Sequence, residues 1–349
     1  MTNSCSNRVK KWLKSRSWIG ILAMFFSRVL SGYWAYKKVL TAPGLPSGSM
    51  AYFIDYAGSG DTYLCCSYLA CQHKITDHAV FVAAGALSGK IATLFGFDHM
   101  ITLTRQQAFS MRIMGRFYGG KLKLYPLLYE SEPLRYSGIL RHMQGFRGVD
   151  FMTMLRIGFC ASLGVEYGQT EFRPVPLPYD VAYLDKAFHD LRLEEGKTVL
   201  LAPYAGQHDT WGIPMELYER LAVELRAQGF VVCTNSCGQR KEPTIPGTIP
   251  VFLPHEYMAP FCERAGYFIG IRSGLCDMIA SARMKRKIIL YPGERLGEGV
   301  ATWLEFFSLR QMGLCEDAVE IEYDKECGAV LQSYVSCIQD ELFRGKERK

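Results

Sequence analysis

Twice along this 349-residue chain a short apolar run passes through a turn into a stretch of helical periodicity, and a proline-rich segment separates the two series. The first series predicts strands over 51–56, 79–83, 100–103 and 121–125, with helices over 61–73, 87–95 and 106–118 between them. Strict alternation with short connections specifies a parallel sheet covered by helices, because antiparallel neighbours need only a hairpin. The separator, Phe172 to Asp180, reads "FRPVPLPYD". Prolines at alternate positions remove backbone donors and forbid helix, so the segment is an extended linker.

The second series opens with a helix over 181–193 and then predicts strands over 198–203, 230–235, 249–253, 267–271 and 287–291. Helices are expected over 214–228, 256–265 and 275–284, with a closing helix over 326–343. Leu217, Leu221 and Leu225 recur every fourth residue, and Gly229 stands where a helix C-cap belongs. The expected fold is therefore α/β, with two Rossmann-like domains facing across a cleft; open parallel sheets bind ligands at the C-terminal ends of their strands. The expected organisation is a basic helical segment over 1–48, a first domain over 49–172, the linker over 173–180, a second domain over 181–330, and a C-terminal helix and tail over 331–349.

Charge is unevenly placed. The net +6 resides in residues 1–54, which carry eight Lys or Arg and no Asp or Glu. Aromatic and aliphatic residues are interleaved with these charges, including Trp12, Trp18, Phe25, Phe26, Leu30 and Trp34. The uncharged stretch ahead of Arg28, Ser17 to Ser27, is shorter than the ~20 apolar residues a membrane span needs. Two readings fit: a helix lying on an anionic membrane surface through residues 1–40, or a helix docked on the protein's own core. No nucleic-acid fold signature accompanies the patch, so no nucleic-acid partner is expected. The twelve cysteines lack a Cys-x-x-Cys spacing and fall in apolar patterns, which fits buried free thiols in a reducing cytoplasm. Dispersed histidines and the lack of an Asp-x-Asp pair give no expected metal site.

Three stretches could carry chemistry. In "YFIGIRSGLCDMI" a buried strand delivers Arg272, Ser273 and Gly274 to a helix start, where free amides, a permissive glycine and a guanidinium fork suit a diphosphate. The plainer reading is a strand–helix junction capped by Ser273, with Arg272 paired to an acid. In "LLAPYAGQHDTWG" a strand runs into Gly206, Gln207, His208 and Thr210; a histidine there could bond phosphate or sugar, or simply be a solvated loop residue. In "YAGSGDTYLCC" the acid Asp61 follows Gly58-Ser59-Gly60. Neither nucleotide fingerprint, G-x-G-x-x-G or G-x-x-x-x-G-K-[ST], is satisfied there. Asp61 is either an N-cap or a carboxylate able to take a proton from an acceptor hydroxyl. Gly60, Asp277 and Glu294, the last in the loop "PGERLGEG", are further candidates for the cleft.

In order and spacing, "GSGDTYL", "APYAGQHDTW" and "AGYFIGIRSGLCDMIASA" resemble the marks of GT-B fold glycosyltransferases, particularly the bacterial heptosyltransferase-like family. The resemblance covers about residues 50–300. It implies a general base at Asp61, donor-phosphate contacts at Gly206 to Thr210, and a nucleotide-sugar turn at Ser273 and Gly274. It further implies a metal-independent, inverting transfer from a nucleotide-diphosphate sugar to a glycan or lipid-linked acceptor, with no cofactor beyond the donor, at the cytoplasmic face of the membrane. Three features depart from the family pattern: Arg272 stands where the family has Asp, Asp277 where it has His, and the loop after Gly206 offers Gln207 and His208 in place of the usual lysine. These departures imply a donor other than ADP-heptose. A dinucleotide-dependent enzyme and a non-catalytic membrane-associated scaffold are the alternatives of other classes.

Overall fold

The computed structural model describes residues 18–42, 50–54, 58–72, 79–114, 123–126, 152–153, 155–157, 160, 165–169, 173–205, 212–236, 238, 241–296, 301–324 and 331–344. Two compact units divide the chain. One comprises Met1–Ala57, Thr76–Gly89 and Phe97–Pro126; the other comprises Gly58–Ile75, Lys90–Gly96 and Leu127–Lys349.

The first unit holds helix α1 (Trp18–Leu40) and a parallel sheet of β1 (Met50–Ile54), β2 (Ala79–Ala83), β3 (His99–Thr102) and β4 (Lys123–Pro126), in the order β3-β2-β1-β4. Helix α2 (Ser59–Cys71) follows β1 in sequence, α3 (Ala86–Leu94) follows β2, and α4 (Arg105–Met114) follows β3. The apolar run Ala-Val-Phe-Val-Ala of β2 is buried throughout, as expected for an inner strand of a covered parallel sheet. Ala35, Tyr36 and Val39 of α1 pack with Ala51, Val80, Val82, Ile101, Ala108 and Met111, so the C-terminal part of α1 is docked on its own sheet and on α4. Lys38 adds a bond from its Nζ to the Thr102 carbonyl, 3.0 Å.

The second unit is built on a six-stranded parallel sheet, β12-β9-β8-β5-β6-β7. Its elements are α5 (Val181–Asp190), β5 (Thr198–Ala202), α6 (Met215–Ala227), β6 (Val231–Asn235), β7 (Ile249–Val251), α7 (His255–Ala265), β8 (Gly266–Ile271), α8 (Gly274–Met278), β9 (Arg286–Pro292), the hairpin of β10 (Arg295–Leu296) and β11 (Ala301–Thr302), α9 (Trp303–Phe307), β12 (Ala318–Tyr323) and α10 (Leu331–Phe343). One face of this sheet buries Val199, Leu201, Ile269, Ile271, Ile288 and Leu290 against Leu217, Leu221 and Leu225 of α6 and Val335, Ile338 and Leu342 of α10. The leucine period therefore marks the packed stripe of α6. Gly229 adopts φ +83° just beyond its end, a left-handed conformation that favours glycine.

The segment 173–180 is without regular structure, and it is held along α2: Tyr63 Oη donates to the Val175 carbonyl at 3.0 Å, and the Val175 amide donates to Ser67 Oγ at 3.4 Å. Asp180 caps α5 through the Ala182 amide at 2.9 Å. Several elements differ from the sequence expectation. The helix expected over 275–284 is only the five residues of α8. Beyond Met278 the backbone tightens to i→i+3 bonds, from the Ala280 amide to the Asp277 carbonyl at 3.4 Å and from the Ala282 amide to the Ile279 carbonyl at 3.0 Å, and the buried Lys287 amine takes the Ala280 carbonyl at 2.6 Å. The closing helix is described over Leu331–Phe343, and residues 326–330 of the expectation lie outside the described residues. Strand β12 and helix α9 had no counterpart in the expectation: β12, "AVEIEY", interrupts its apolar residues with two glutamates, a residue depleted in strands.

Candidate active site

Parallel strands deliver their C-terminal ends to one edge of the sheet, and in the second unit β5, β8 and β9 are neighbours there. Arg272 leaves the end of β8 between the other two strands, its amide bonded to the Leu290 carbonyl of β9 at 2.9 Å. Its side chain is buried, and so is that of Asp277 in α8. Nη2 donates to Asp277 Oδ1 at 2.7 Å and Nη1 to Oδ2 at 3.2 Å, a forked pairing of guanidinium with carboxylate. Nη1 also donates to the Ser273 carbonyl at 2.7 Å, Nε to the Phe307 carbonyl at 2.9 Å, and Nη2 faces Met312 Sδ at 3.8 Å. The Phe307 ring lies 5.6 Å from the guanidinium carbon. A guanidinium has five N–H bonds, and every one is directed to a partner inside the chain. Arg272 is thus a buried counter-ion rather than the open phosphate fork its sequence position suggests, and desolvation is the reason: a charge at this depth must be fully paired.

The partners of Arg272 are held from behind. Glu320 of β12 accepts from the Leu309 amide at 2.7 Å, from Ser308 Oγ at 2.6 Å and from the Tyr291 hydroxyl. These bonds fix the turn after α9 that presents the Phe307 carbonyl to Nε. Burial lowers the Arg272 pKa, but the Asp277 carboxylate together with Tyr291 and Cys276 outweighs it and leaves the value above the ordinary one. Burial raises the Asp277 carboxyl, with Arg272 opposing.

Asp61 comes to this pair from α2, which belongs to the same compact unit. Gly58, not Asp61, occupies the N-cap position of α2, and no side chain caps the helix. Asp61 is the third helical residue, so the capping reading does not apply to it. Its carboxyl pKa is pushed up to about 7, first by burial and then by the Asp277 carboxylate, with Arg272 pulling the other way. The residue keeps partial solvent access. A carboxyl whose pKa lies near neutrality is partly ionised at neutral pH, which is what proton abstraction from a hydroxyl requires.

Two glycines bring the pieces together. A Cβ on Gly60 would lie 2.4 Å from Asp277 Oδ2 and 2.5 Å from the Gly274 Cα, and one on Gly274 would lie 2.6 Å from the Gly60 amide nitrogen. Only glycine at both places lets the backbones meet. The same contact covers one side of the Ser273–Gly274 turn, so that turn is less open than the sequence alone implies. Ser273 sits at the N-cap of α8 with no capping bond from its side chain, 3.9 Å from Cys276 Sγ. Glu294 follows β9 and is exposed, 3.9 Å from where a Cβ on Gly212 would be. Gly206, Gln207, His208 and Thr210 lie outside the described residues. Among the described residues no group of three or more His, Cys, Asp or Glu could hold a metal ion. The cysteines of α2, Cys65 and Cys66, are free and buried, and burial raises both thiols.

Sequence reasoning named Asp61, Gly60, Arg272, Gly274 and Asp277 separately, and the structure brings them into one cluster. It missed the positioning roles of Phe307, Tyr291 and Glu320. The five-residue step from a basic strand end to an acid in the next helical turn was the available signal for the Arg272–Asp277 pair.

E. coli heptosyltransferase WaaC with ADP superposes with a TM-score of 0.52 at 10% identity, covering 84% of this chain and 99% of that one. The family 9 glycosyl transferase of Veillonella parvula gives 0.54 at 12% identity, with 87% and 99% covered. The E. coli ADP-heptose LPS heptosyltransferase II gives 0.53 at 11% identity, with 85% and 99% covered. The chain resembles the GT-B heptosyltransferases in fold. No protein-family model and no curated protein matches the sequence. The resemblance extends over nearly the whole length of those enzymes, while the identity is so low that it concerns the fold and not the substrates.

Proposed function

We propose that the protein is a glycosyltransferase that moves a sugar from a nucleoside-diphosphate sugar to a hydroxyl of a cell-surface glycan or lipid-linked saccharide. The observation that carries the reading is Asp61, a carboxyl of a half-buried residue with a pKa near neutrality, held beside a buried ion pair in a heptosyltransferase-like fold. In the proposed reaction the Asp61 carboxylate takes the acceptor O–H proton as that oxygen bonds to the anomeric carbon. The bond from the anomeric carbon to the diphosphate oxygen breaks, and the nucleoside diphosphate leaves with the electron pair. Attack opposite the leaving group inverts the anomeric centre, and no step calls for a metal.

Donor contacts are proposed for Ser273, Gly274 and the residues Gly206, Gln207, His208 and Thr210 at the end of β5. Backbone amides at strand ends suit a diphosphate, because they present fixed dipoles to the charge that develops on the leaving group. Arg272 and Asp277 act behind this layer: they hold the turn and set the field at Asp61. Glu294 is an exposed candidate at the end of β9. The proposed location is the cytoplasm, at the inner face of the cell membrane, where lipid-linked acceptors are reached. Arg272 and Asp277 replace the Asp and His that the family motif carries, which favours a donor other than ADP-heptose.

A thermal-shift screen against UDP, GDP, ADP, CMP and dTDP tests the class of ligand. A nucleotide at about 100 times its Kd adds ~2.7 kcal/mol to the folded state, so one of them raises Tm clearly above the others. No response to any nucleotide, with a response to NAD instead, would move the protein to the dinucleotide enzymes.

A further inference from the structure

Helix α1 has two apolar faces, and its own sheet covers only one of them. At about 100° per residue, Ala35, Tyr36 and Val39 fall within an arc of about 100°, and all three are buried. Phe26, Leu30, Tyr33, Trp34 and Lys37 fall within a second arc of about 100° on the opposite side. Phe26, Leu30 and Trp34 there are 60%, 56% and 66% exposed. An outward row of large apolar side chains is unfavourable in water, and chance exposure of single residues does not produce a row. The row ends in charge: Lys37 is exposed, with its ammonium 5.8 Å from the Tyr33 ring. The sequence ahead of α1 adds Arg8, Lys10, Lys11, Lys14 and Arg16, and no acid occurs before Asp55. Among the described residues no helix is long and apolar enough to cross a membrane.

We propose that the outward face of α1 seats the protein on an anionic lipid surface, with Phe26, Leu30 and Trp34 entering the headgroup boundary and the basic residues meeting lipid phosphate. The occupant follows from charge as well as apolarity. Eight cations without an acid complement an anionic bilayer, and the mix of Phe and Leu with Tyr and Trp suits the boundary between water and hydrocarbon. Because the opposite face is anchored on β-sheet residues, α1 lies along the membrane plane as a fixed part of the fold. This goes beyond sugar transfer and holds or fails independently of it.

The test is co-sedimentation of the full-length protein with vesicles of phosphatidylglycerol and phosphatidylethanolamine, against vesicles of phosphatidylcholine alone. Wild type is expected in the anionic pellet, while a Phe26→Ser, Leu30→Ser, Trp34→Ser variant partitions about tenfold less or weaker at unchanged Tm. Lys37→Glu weakens binding at low salt, and in about 1 M salt, where charge is screened within ~3 Å, part of the wild-type binding persists. Should the triple variant not fold, Trp34→Ser and Phe26→Ser alone carry the test, each expected to partition less. Wild type remaining in the supernatant, or equal binding by the variants, overturns the proposal. Full release by salt removes the apolar insertion. A wild-type dimer that the triple variant converts to monomer, seen by light scattering, gives the face to a second copy instead.

Discussion

Gly60 and Gly274 meet so closely that a Cβ on the first would sit 2.5 Å from the Cα of the second. This contact joins the helix that carries Asp61 to the turn that carries Arg272 and, five residues on, Asp277. Both positions must be without side chains, so the site depends on residues that do no chemistry themselves.

Gly60→Ala therefore has to push α2 and α8 apart. Overpacking of this kind costs about 1–3 kcal/mol, and here it also shifts Asp61 from Asp277. The expected outcome is a lower unfolding midpoint in urea together with a loss of transfer. A fully stable and active Gly60→Ala would mean that the two backbones are not in contact.

Removing one member of the buried ion pair leaves the other uncompensated. Arg272→Met is expected to cost about 3–5 kcal/mol, because the Asp277 carboxyl is then buried without its cation. Replacing both, as in Arg272→Met with Asp277→Leu, is expected to recover most of that loss. Denaturant unfolding of the two variants checks this, and equal destabilisation by both would show that the pair is not a unit.

The Asp277 charge raises the Asp61 pKa, so its removal has a definite sign. With Asp277→Asn the like charge is gone while Arg272 stays, and the Asp61 pKa falls from about 7. The acid limb of the kcat/KM profile then moves to lower pH. A limb that stays in place, or moves to higher pH, contradicts the assignment of that limb to Asp61.

Asp61 itself works against stability once ionised. Its folded-state pKa of about 7 lies above the ordinary 3.8, so the folded state binds a proton that the unfolded state has released between those values. The cost of ionisation is absent below the unfolded value, grows between the two and is complete above about 7. Asp61→Asn is accordingly expected to raise Tm at about pH 8 and to change it little at about pH 4. A calorimetric comparison at those two pH values decides it; a destabilised variant at the higher pH would show that the carboxylate is held by favourable partners.

Much of the frame was legible because it rests on local signals. Apolar runs such as Ala79–Ala83 and Thr198–Ala202 are buried strands, and the leucines of α6 form one stripe. Endings decided by distant groups were not legible. The buried Lys287 amine holds the turn after α8 through the Ala280 carbonyl seven positions earlier, and Glu320 fixes a turn eleven residues before it. The same limit applies to Arg272. Its sequence context suits phosphate, and only the bonds to Asp277, Ser273 and Phe307 reveal that its donors are taken. The compact units also regroup the chain around the glycine contact, which places α2 with the second unit rather than with the strand that precedes it.

The most direct test of the account is sugar transfer by Asp61→Asn, with donor affinity measured on the same preparation. The account predicts unchanged donor Kd and transfer lower by about 10²–10⁴, the loss typical of a missing general base. Turnover within about threefold of wild type, a change of under 1 kcal/mol in the barrier, would contradict it.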